Sequence, residues 1–357
     1  MMSVGLDVST LCTPTPTGIG RYTDHLARAL VEAEVDVRYF VKSSRKGREG
    51  AMDPDMKHAV RYYLPGLPVI IRRPQVVHAT DAYYPTVPGA GHVVTIHDLA
   101  IFREETRHIE GYTSDVFRER GARRLNALLR WADGICVPSR ATASDLMEMF
   151  GVDAARITVT PLGCDHIDPV RSHRDAVVLD TFGLEAGRYS LFIGHVSIRK
   201  NLPAMIEAMK RTRHAAHHPF VVAGADSMGA ERIHEAARGT NTIFTGYRTE
   251  EETQVLLRNA ACLVFATYYE GFGIPVLEAM RCGVPVVAGS YGAAREAGGP
   301  HAVYADPFDV DSIAAAIDEA WNIPDAGRDE GRRHADAYTW KNTAIRTIDA
   351  YRRAPGR

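Results

Sequence analysis

Three things are scarce in this sequence of 357 residues, and each scarcity closes off a class of protein. Cysteine is the first: Cys12, Cys136, Cys164, Cys262 and Cys282 are scattered, odd in number and never spaced C-x-x-C. That distribution argues against a disulfide frame or a zinc site, and for reduced thiols in a cytosolic protein. Long apolar runs are the second. None approaches the roughly 18 to 20 residues of a membrane span, and the start, MMSVGLDVSTLCTP, lacks the basic-then-apolar order of a signal peptide. Net charge is the third. The 42 Lys and Arg against 44 Asp and Glu leave −2 at neutral pH, so nothing overall asks for nucleic acid or an anionic membrane. What remains is globular composition, 45% hydrophobic and 24% charged, in a chain suited to two domains rather than one core.

What the chain does have is a rhythm. Short β-branched runs alternate with helical patterns: SVGLDVS, VDVRYFV, QVVHAT, HVVTIHD, GICVPS and ITVTPL in the first half. GRYTDHLARALVEA and DVFRERGARRLNALLRWA lie between them. This predicts an α/β fold with a parallel sheet covered on both faces. The rhythm weakens over the polar residues 165–187, then restarts with YSLFIG, FVVAGA, TIFTGY, CLVFAT, VPVVAG and AVYAD. Two doubly wound, Rossmann-like domains are therefore expected, 1–168 and 185–337, with a boundary near 168–188. The tail 338–357 contains one amphipathic helix, YTWKNTAIRTIDAYRR. Residues 42–58 carry little apolar content and read as a mobile loop. In open α/β sheets, ligands sit outside the carboxyl ends of the strands, so the loops after strands are where chemistry is sought.

The most informative loop is EGFGIPVLE, Glu270 to Glu278, after the strand CLVFAT. Gly271 and Gly273 permit unusual backbone and close approach, and Pro275 suits a first helical turn. A helix starting near Ile274, after Phe272, offers backbone N–H groups to an anion. The two carboxylates can each accept hydrogen bonds from vicinal hydroxyls. A phosphate cradle between two diol clamps matches a nucleoside diphosphate sugar. The plainer alternative is a solvated Glu270 and a Glu278 that merely complements the helix dipole.

EGFGIPVLEAMRCGVPVVA, with its Glu-x7-Glu spacing, resembles the retaining glycosyltransferases of the GT-B fold (group 1, family 4), which include mannosyl- and glucosyltransferases. Other blocks match in order. In GHVSIRKNLPAMIEAM (194–209), the resemblance puts Arg199 and Lys200 at the leaving diphosphate; His195 stands where some relatives have arginine. GIGRYTDHL (18–26) fails as a dinucleotide fingerprint because Thr23 occupies the third glycine position; the family brings this loop, with Gly18 and Gly20, to the donor diphosphate. In VVTIHDLA (93–100), His97 ends a strand, and the family sets such a histidine against the transferred sugar, with Asp98 orienting it or capping a turn. Tyr247 in FTGYRTEEE is placed to stack on the nucleotide base. Ser139 reads as a helix N-cap. Arg140, and the arginines of 115–132, read as solvated, with peripheral membrane contact through that helix left open.

The resemblance implies two domains facing a cleft, an acceptor-side first domain to which the tail helix returns, and a nucleotide-sugar-binding second domain. The expected reaction moves a hexose, mannose by resemblance, from GDP-mannose or another nucleotide-sugar to a hydroxyl of a saccharide or lipid-linked acceptor. Configuration at the anomeric carbon is retained, and synthesis of a surface polysaccharide is the expected setting. Glu270 would face the sugar and Glu278 the ribose. No Asp-x-Asp stands where it suggests a metal-held diphosphate, so no metal and no cofactor are expected. Alternatives are a UDP- or dTDP-sugar transferase acting on a small metabolite, a two-carboxylate hydrolase or phosphorylase, and a nucleotide-sugar-binding protein without catalysis. Acceptor choice is expected to lie in 42–73. The expected location is cytoplasmic, with attachment at the inner membrane face left open.

Overall fold

Runs such as Val76–Ala79, Gly134–Val137 and Phe220–Ala223 are buried at every position. They are buried throughout, and apolar but for His78, rather than alternating, because helices cover both faces of the sheets they belong to. A computed structural model describes residues 1–13, 17–49, 52–69, 73–214 and 217–354. It divides the chain into two compact units, and every pairing within their two sheets is parallel. The first unit comprises Met1–Leu99, Asp115–Gly163 and Thr339–Arg357; the second comprises Ala100–Ser114 and Cys164–Tyr338.

The strands of the first unit are β1 (Ser3–Asp7), β2 (Asp36–Lys42), β3 (Arg61–Tyr63), β4 (Val76–Ala79), β5 (Gly91–Thr95), β6 (Gly134–Val137) and β7 (Ile157–Val159). Their order in the sheet is β3-β2-β1-β4-β5-β6-β7. The winding therefore reverses between β1 and β4. The helices are α1 (Gly18–Glu32), α2 (Pro54–His58), α3 (Asp115–Trp131) and α4 (Arg140–Phe150). Ser139 caps α4, its Oγ accepting from the Thr142 N–H at 3.0 Å, as expected. The stretch read as a loop, 42–58, holds the short helix α2 and a 3-10 turn at Ser43–Arg45; its residues 50 and 51, and 70–72 of the wider acceptor region, lie outside the described residues.

The second unit opens with α5 (Asp175–Thr181) and continues as β8 (Ser190–Ile193), α6 (Leu202–Arg211), β9 (Phe220–Ala223), α7 (Ala230–Ala236), β10 (Thr242–Gly246) and α8 (Glu250–Arg258). It goes on through β11 (Cys262–Phe265), α9 (Ile274–Arg281), β12 (Val286–Gly289), α10 (Ala293–Gly298), β13 (Val303–Ala305), α11 (Val310–Ala320) and α12 (Asp325–Asp336). The sheet order is β10-β9-β8-β11-β12-β13, with its reversal between β8 and β11.

The tail helix α13 (Trp340–Arg353) belongs to the first unit, against α1 and β5 to β7. Its seat depends on missing side chains. A Cβ on Gly91 would meet the Ala354 carbonyl oxygen at 2.0 Å, and one on Gly163 would meet the Trp340 nitrogen at 2.2 Å. The Tyr351 hydroxyl lies 2.8 Å from His78 Nδ1 inside this core. No helix among the described residues is long and apolar enough to cross a membrane.

The two compact units part between Gly163 and Cys164, just ahead of the linker expected near 168–188. The polar stretch 165–187 is folded onto the second unit by a buried ion pair. Asp175 accepts from Arg258 Nη2 at 2.6 Å and Nε at 2.8 Å, from Asn259 Nδ2 at 2.7 Å and from the Ser172 hydroxyl at 2.9 Å. The Arg258 hydrogen bonds chiefly hold the Asp175 carboxyl well below the usual carboxylate range. Asp175→Asn should cost roughly 3–5 kcal/mol, because it strands a buried guanidinium. In the native chain this contribution is present above the unfolded carboxyl value of about 3.9 and fades as the pH falls below it. Urea midpoints at pH 7 and in acid, compared for the two chains, check both statements; a difference that is the same at both pH values would contradict the second.

Candidate functional site

The two strands that flank the reversal of the second sheet, β8 and β11, carry the loops that matter. After β8 the backbone turns through Gly194, at φ 148°, beside Gly224, where a Cβ would lie 1.9 Å from the Gly194 carbonyl oxygen. Two chains pass there that only glycine lets pass. A 3-10 turn, Ile198–Lys200, follows and ends at Asn201 in the left-handed region, φ 61°. Asn tolerates that conformation better than most residues. Its buried Nδ2 donates to the carbonyls of Ala266 at 2.8 Å and Pro307 at 2.7 Å. The turn bearing Arg199 and Lys200 is thereby tied to the loop after β11.

That tie brings Lys200 to Glu270. Lys200 Nζ donates to Glu270 Oε1 at 2.7 Å and Oε2 at 3.0 Å, with the two side chains 27% and 13% exposed. Residues 70 apart in sequence form one charge-assisted contact. Beyond Glu270, Gly271 and Phe272 are buried, and Gly273 caps α9 in the left-handed region at φ 89°. The helix starts at Ile274, with proline in its first turn, as expected. Glu278 lies within α9 and is 5% exposed. Its Oε1 lies 3.1 Å from His166 Nε2. The two glutamates therefore differ in partner: one faces a lysine, the other a histidine.

Around this centre, His195 is exposed, and its imidazole is held below its usual value by loss of solvent around the ring and then by the Lys200 charge. The Arg199 guanidinium stands 5.8 Å over the Tyr112 ring. Tyr247 is exposed after β10, the edge strand two places from β8. Gly18, Gly20 and His97 belong to the first unit. Gly18 opens α1, and the Gly20 N–H is already taken by the capping Thr17 Oγ1 at 3.1 Å. His97 Nε2 lies 2.7 Å from the Thr80 carbonyl oxygen, and its ring meets Tyr22 edge-on at 4.7 Å. Burial lowers its pKa. A carbonyl accepts only, so Nε2 carries the proton, and in the neutral ring Nδ1 is left as an acceptor.

Sequence reasoning missed two residues. Asn201 was visible as part of Arg199-Lys200-Asn201, but its left-handed backbone and its two carbonyl partners were not. His166 sat in the polar stretch and carried no signal. The chain's two Asp-x-Asp stretches are helix caps. Asp53 accepts from the Asp55 N–H at 2.9 Å, and Asp309 from those of Asp311 and Ser312 at 2.9 and 3.3 Å.

Two parallel α/β units, each with chemistry-bearing loops at its carboxyl edge, define a GT-B glycosyltransferase architecture. The comparisons with known proteins agree. Residues 183–338 match the model for glycosyl transferases group 1, and residues 16–167 the model for glycosyltransferase family 4. The O-antigen chain mannosyltransferase B of Escherichia coli is 30% identical over 281 residues, covering 73% of this chain and 70% of that protein. A glycogen synthase of Mycobacterium tuberculosis is 29% identical over 300 residues, 78% and 69% of the two chains. A sucrose-phosphate synthase from Thermosynechococcus elongatus superposes with TM-score 0.74 at 20% identity, covering 99% and 98%. The chain belongs to the group 1 glycosyltransferases.

Asn201→Ala should destabilise the second unit by roughly 2–5 kcal/mol. Two buried hydrogen bonds are lost at about 0.5–1.5 kcal/mol each, and a left-handed residue without a polar side chain costs about 1–2 more. Asn201→Gly should recover the backbone part alone. Denaturant midpoints of the three chains check the order; an alanine variant as stable as the wild type would mean that the two carbonyl contacts hold nothing.

Proposed function

We propose that this glycosyltransferase moves a hexose, mannose in the first instance, from a nucleotide-sugar to an acceptor hydroxyl with retention, and does so without a metal. The observation that carries the reading is the Lys200–Glu270 pair beside the glycine-capped start of α9. A diphosphate brought there meets an ammonium and the positive end of the α9 dipole together. In this reading Lys200 leaves Glu270 for the leaving phosphate, aided by Arg199 or His195. Glu270 is then released to accept from the sugar hydroxyls. Glu278, held by His166, has its second oxygen left for the ribose diol. His97 contributes an acceptor nitrogen toward the sugar, Tyr247 a ring for the base, and Gly18 and Gly20 a backbone approach to the diphosphate. No side chain is assigned as nucleophile; the departing phosphate takes the acceptor proton as the new bond forms on the same face.

Mannose is preferred because the O-antigen relative is named a mannosyltransferase. The acceptor is placed among saccharides or their lipid-linked forms for the same reason, and the setting in surface polysaccharide synthesis follows. Peripheral membrane contact through α3 and a cytoplasmic location remain part of this proposal.

The first test is calorimetric and thermal-shift titration with GDP, UDP, dTDP, ADP and their sugar conjugates, with and without EDTA. Selective binding of GDP and GDP-mannose, unchanged by EDTA, is expected. Binding by none of them would remove the donor reading, and binding abolished by EDTA would remove metal independence. Two variants separate the roles. Lys200→Ala should weaken nucleoside diphosphate binding about 10- to 100-fold, the loss of one charge-assisted hydrogen bond. Glu270→Gln should abolish transfer while nucleotide affinity holds or rises, because the lysine loses its competing partner. A parallel fall of affinity and activity in Glu270→Gln would refute its sugar-facing role.

A further inference from the structure

The carboxyl edge of the first sheet holds cations that lack what Lys200 has. Lys42 ends β2, Arg45 closes the 3-10 turn after it, Arg124 projects from α3, and Tyr83 follows β4. Lys42 Nζ stands 4.0 Å from the Tyr83 ring centre and Arg124 Cζ 4.7 Å from it. The phenol is drawn below its usual value, first by hydrogen-bonding interaction with the Arg124 guanidinium, with Lys42 and Arg45 adding to the effect. Among the described residues, no carboxylate pairs with Lys42, Arg45 or Arg124, whereas Arg28, Arg38, Arg103 and Arg107 of this chain each pair with at least one. Two carboxylates of the neighbouring loops are committed elsewhere. Glu49 accepts from the Tyr62 hydroxyl at 2.6 Å and the Gly47 N–H at 2.9 Å. Asp7 accepts from the Tyr63 hydroxyl at 2.6 Å and the Ser9 N–H at 3.0 Å.

The cations are also held in place. The Lys42 N–H donates to Ser9 Oγ at 2.8 Å, Ser9 Oγ donates to Asp7 Oδ2 at 3.1 Å, and Ser43 Oγ donates to the Tyr63 carbonyl at 2.8 Å. The turn after β2 is thus fastened to the ends of β1 and β3. The cluster lies beside the β1/β4 reversal, where open sheets take ligands. Like charges gathered on one ring repel each other unless an anion joins them. A fork donor, a point charge and a phenol suit a phosphate better than a single carboxylate.

We infer that Lys42, Arg45, Arg124 and Tyr83 form a binding site for a phosphate-class anion in the first unit. That the acceptor brings this group, as a sugar phosphate or a polyprenyl diphosphate, rests on the transfer proposed above; the anion site itself does not. The experiment uses the full chain carrying Lys200→Ala, which removes the donor-side phosphate contact, and titrates it calorimetrically with inorganic pyrophosphate. Saturable binding should persist, and adding Lys42→Gln and Arg124→Gln should weaken it at least 10-fold. Loss of binding with Lys200→Ala alone, or indifference to the other two changes, would overturn the site. The Lys42→Gln, Arg124→Gln chain with native Lys200 should bind the nucleoside diphosphate as the wild type does; loss there too would show that the cluster is not a separate site. Should no nucleoside diphosphate bind the wild type, the transfer reading fails, and the pyrophosphate titration still decides this one. A sugar monophosphate and a short polyprenyl diphosphate in detergent, as competitors, identify the carrier, and displacement by neither would overturn the acceptor as the source of the anion while the pyrophosphate titration decides the site.

Discussion

One ion pair organises the second unit's working edge. Lys200 and Glu270 come from loops after β8 and β11, the two strands on either side of the sheet reversal. Neither loop is rigid by sequence alone. The first is anchored by Asn201, whose amide spans two carbonyls, and the second by Gly273, whose left-handed backbone starts α9. The pair is partly exposed, so its net worth is modest. That suits a contact a substrate has to open. In the proposed reading, a diphosphate offers the ammonium more negative charge than one carboxylate does, and the released carboxylate gains an acceptor role in the same step.

The parts of this molecule legible in sequence were those carried by continuous burial. Runs such as CLVF and FVVA announce themselves because both sheet faces are covered, and the glycines and proline of EGFGIPVLE mark a helix start by local chemistry alone. β3 was not legible: Arg61–Tyr63 is three residues long, at a sheet edge and mostly exposed. The fold of the stretch beside the domain boundary was not legible for a related reason. The stretch 165–187 is polar because it supplies Asp175 to a buried ion pair and His166 to Glu278, and polarity alone reads as linker.

Pairings between distant residues were the least legible. Lys200 and Glu270 were each marked by their own motif and assigned separate ligands. Nothing in either motif says that the two side chains meet. That fact follows from sheet order, since the reversal makes β8 and β11 neighbours although three helices and two strands lie between them in the chain. The same holds for His166 and Glu278, 112 residues apart.

The two carboxyl edges handle charge in opposite ways. The second unit pairs its key cation with a carboxylate, so that edge is neutralised within the chain and its polarity is spent until a ligand exchanges partners. The first unit commits Asp7 and Glu49 to tyrosine hydroxyls and backbone N–H groups, and among the described residues no carboxylate pairs with Lys42, Arg45 or Arg124 around Tyr83. Burial pushes the Asp7 carboxyl up to about 7, against the opposing hydrogen bonds from Tyr63 and Ser9, so this acid carries only part of its negative charge near neutrality. An edge arranged in this way favours an anion from outside the chain, whereas the other edge favours an exchange of one anion for another. Those are the electrostatic requirements of holding a charged acceptor at one site and breaking a bond to a diphosphate at the other.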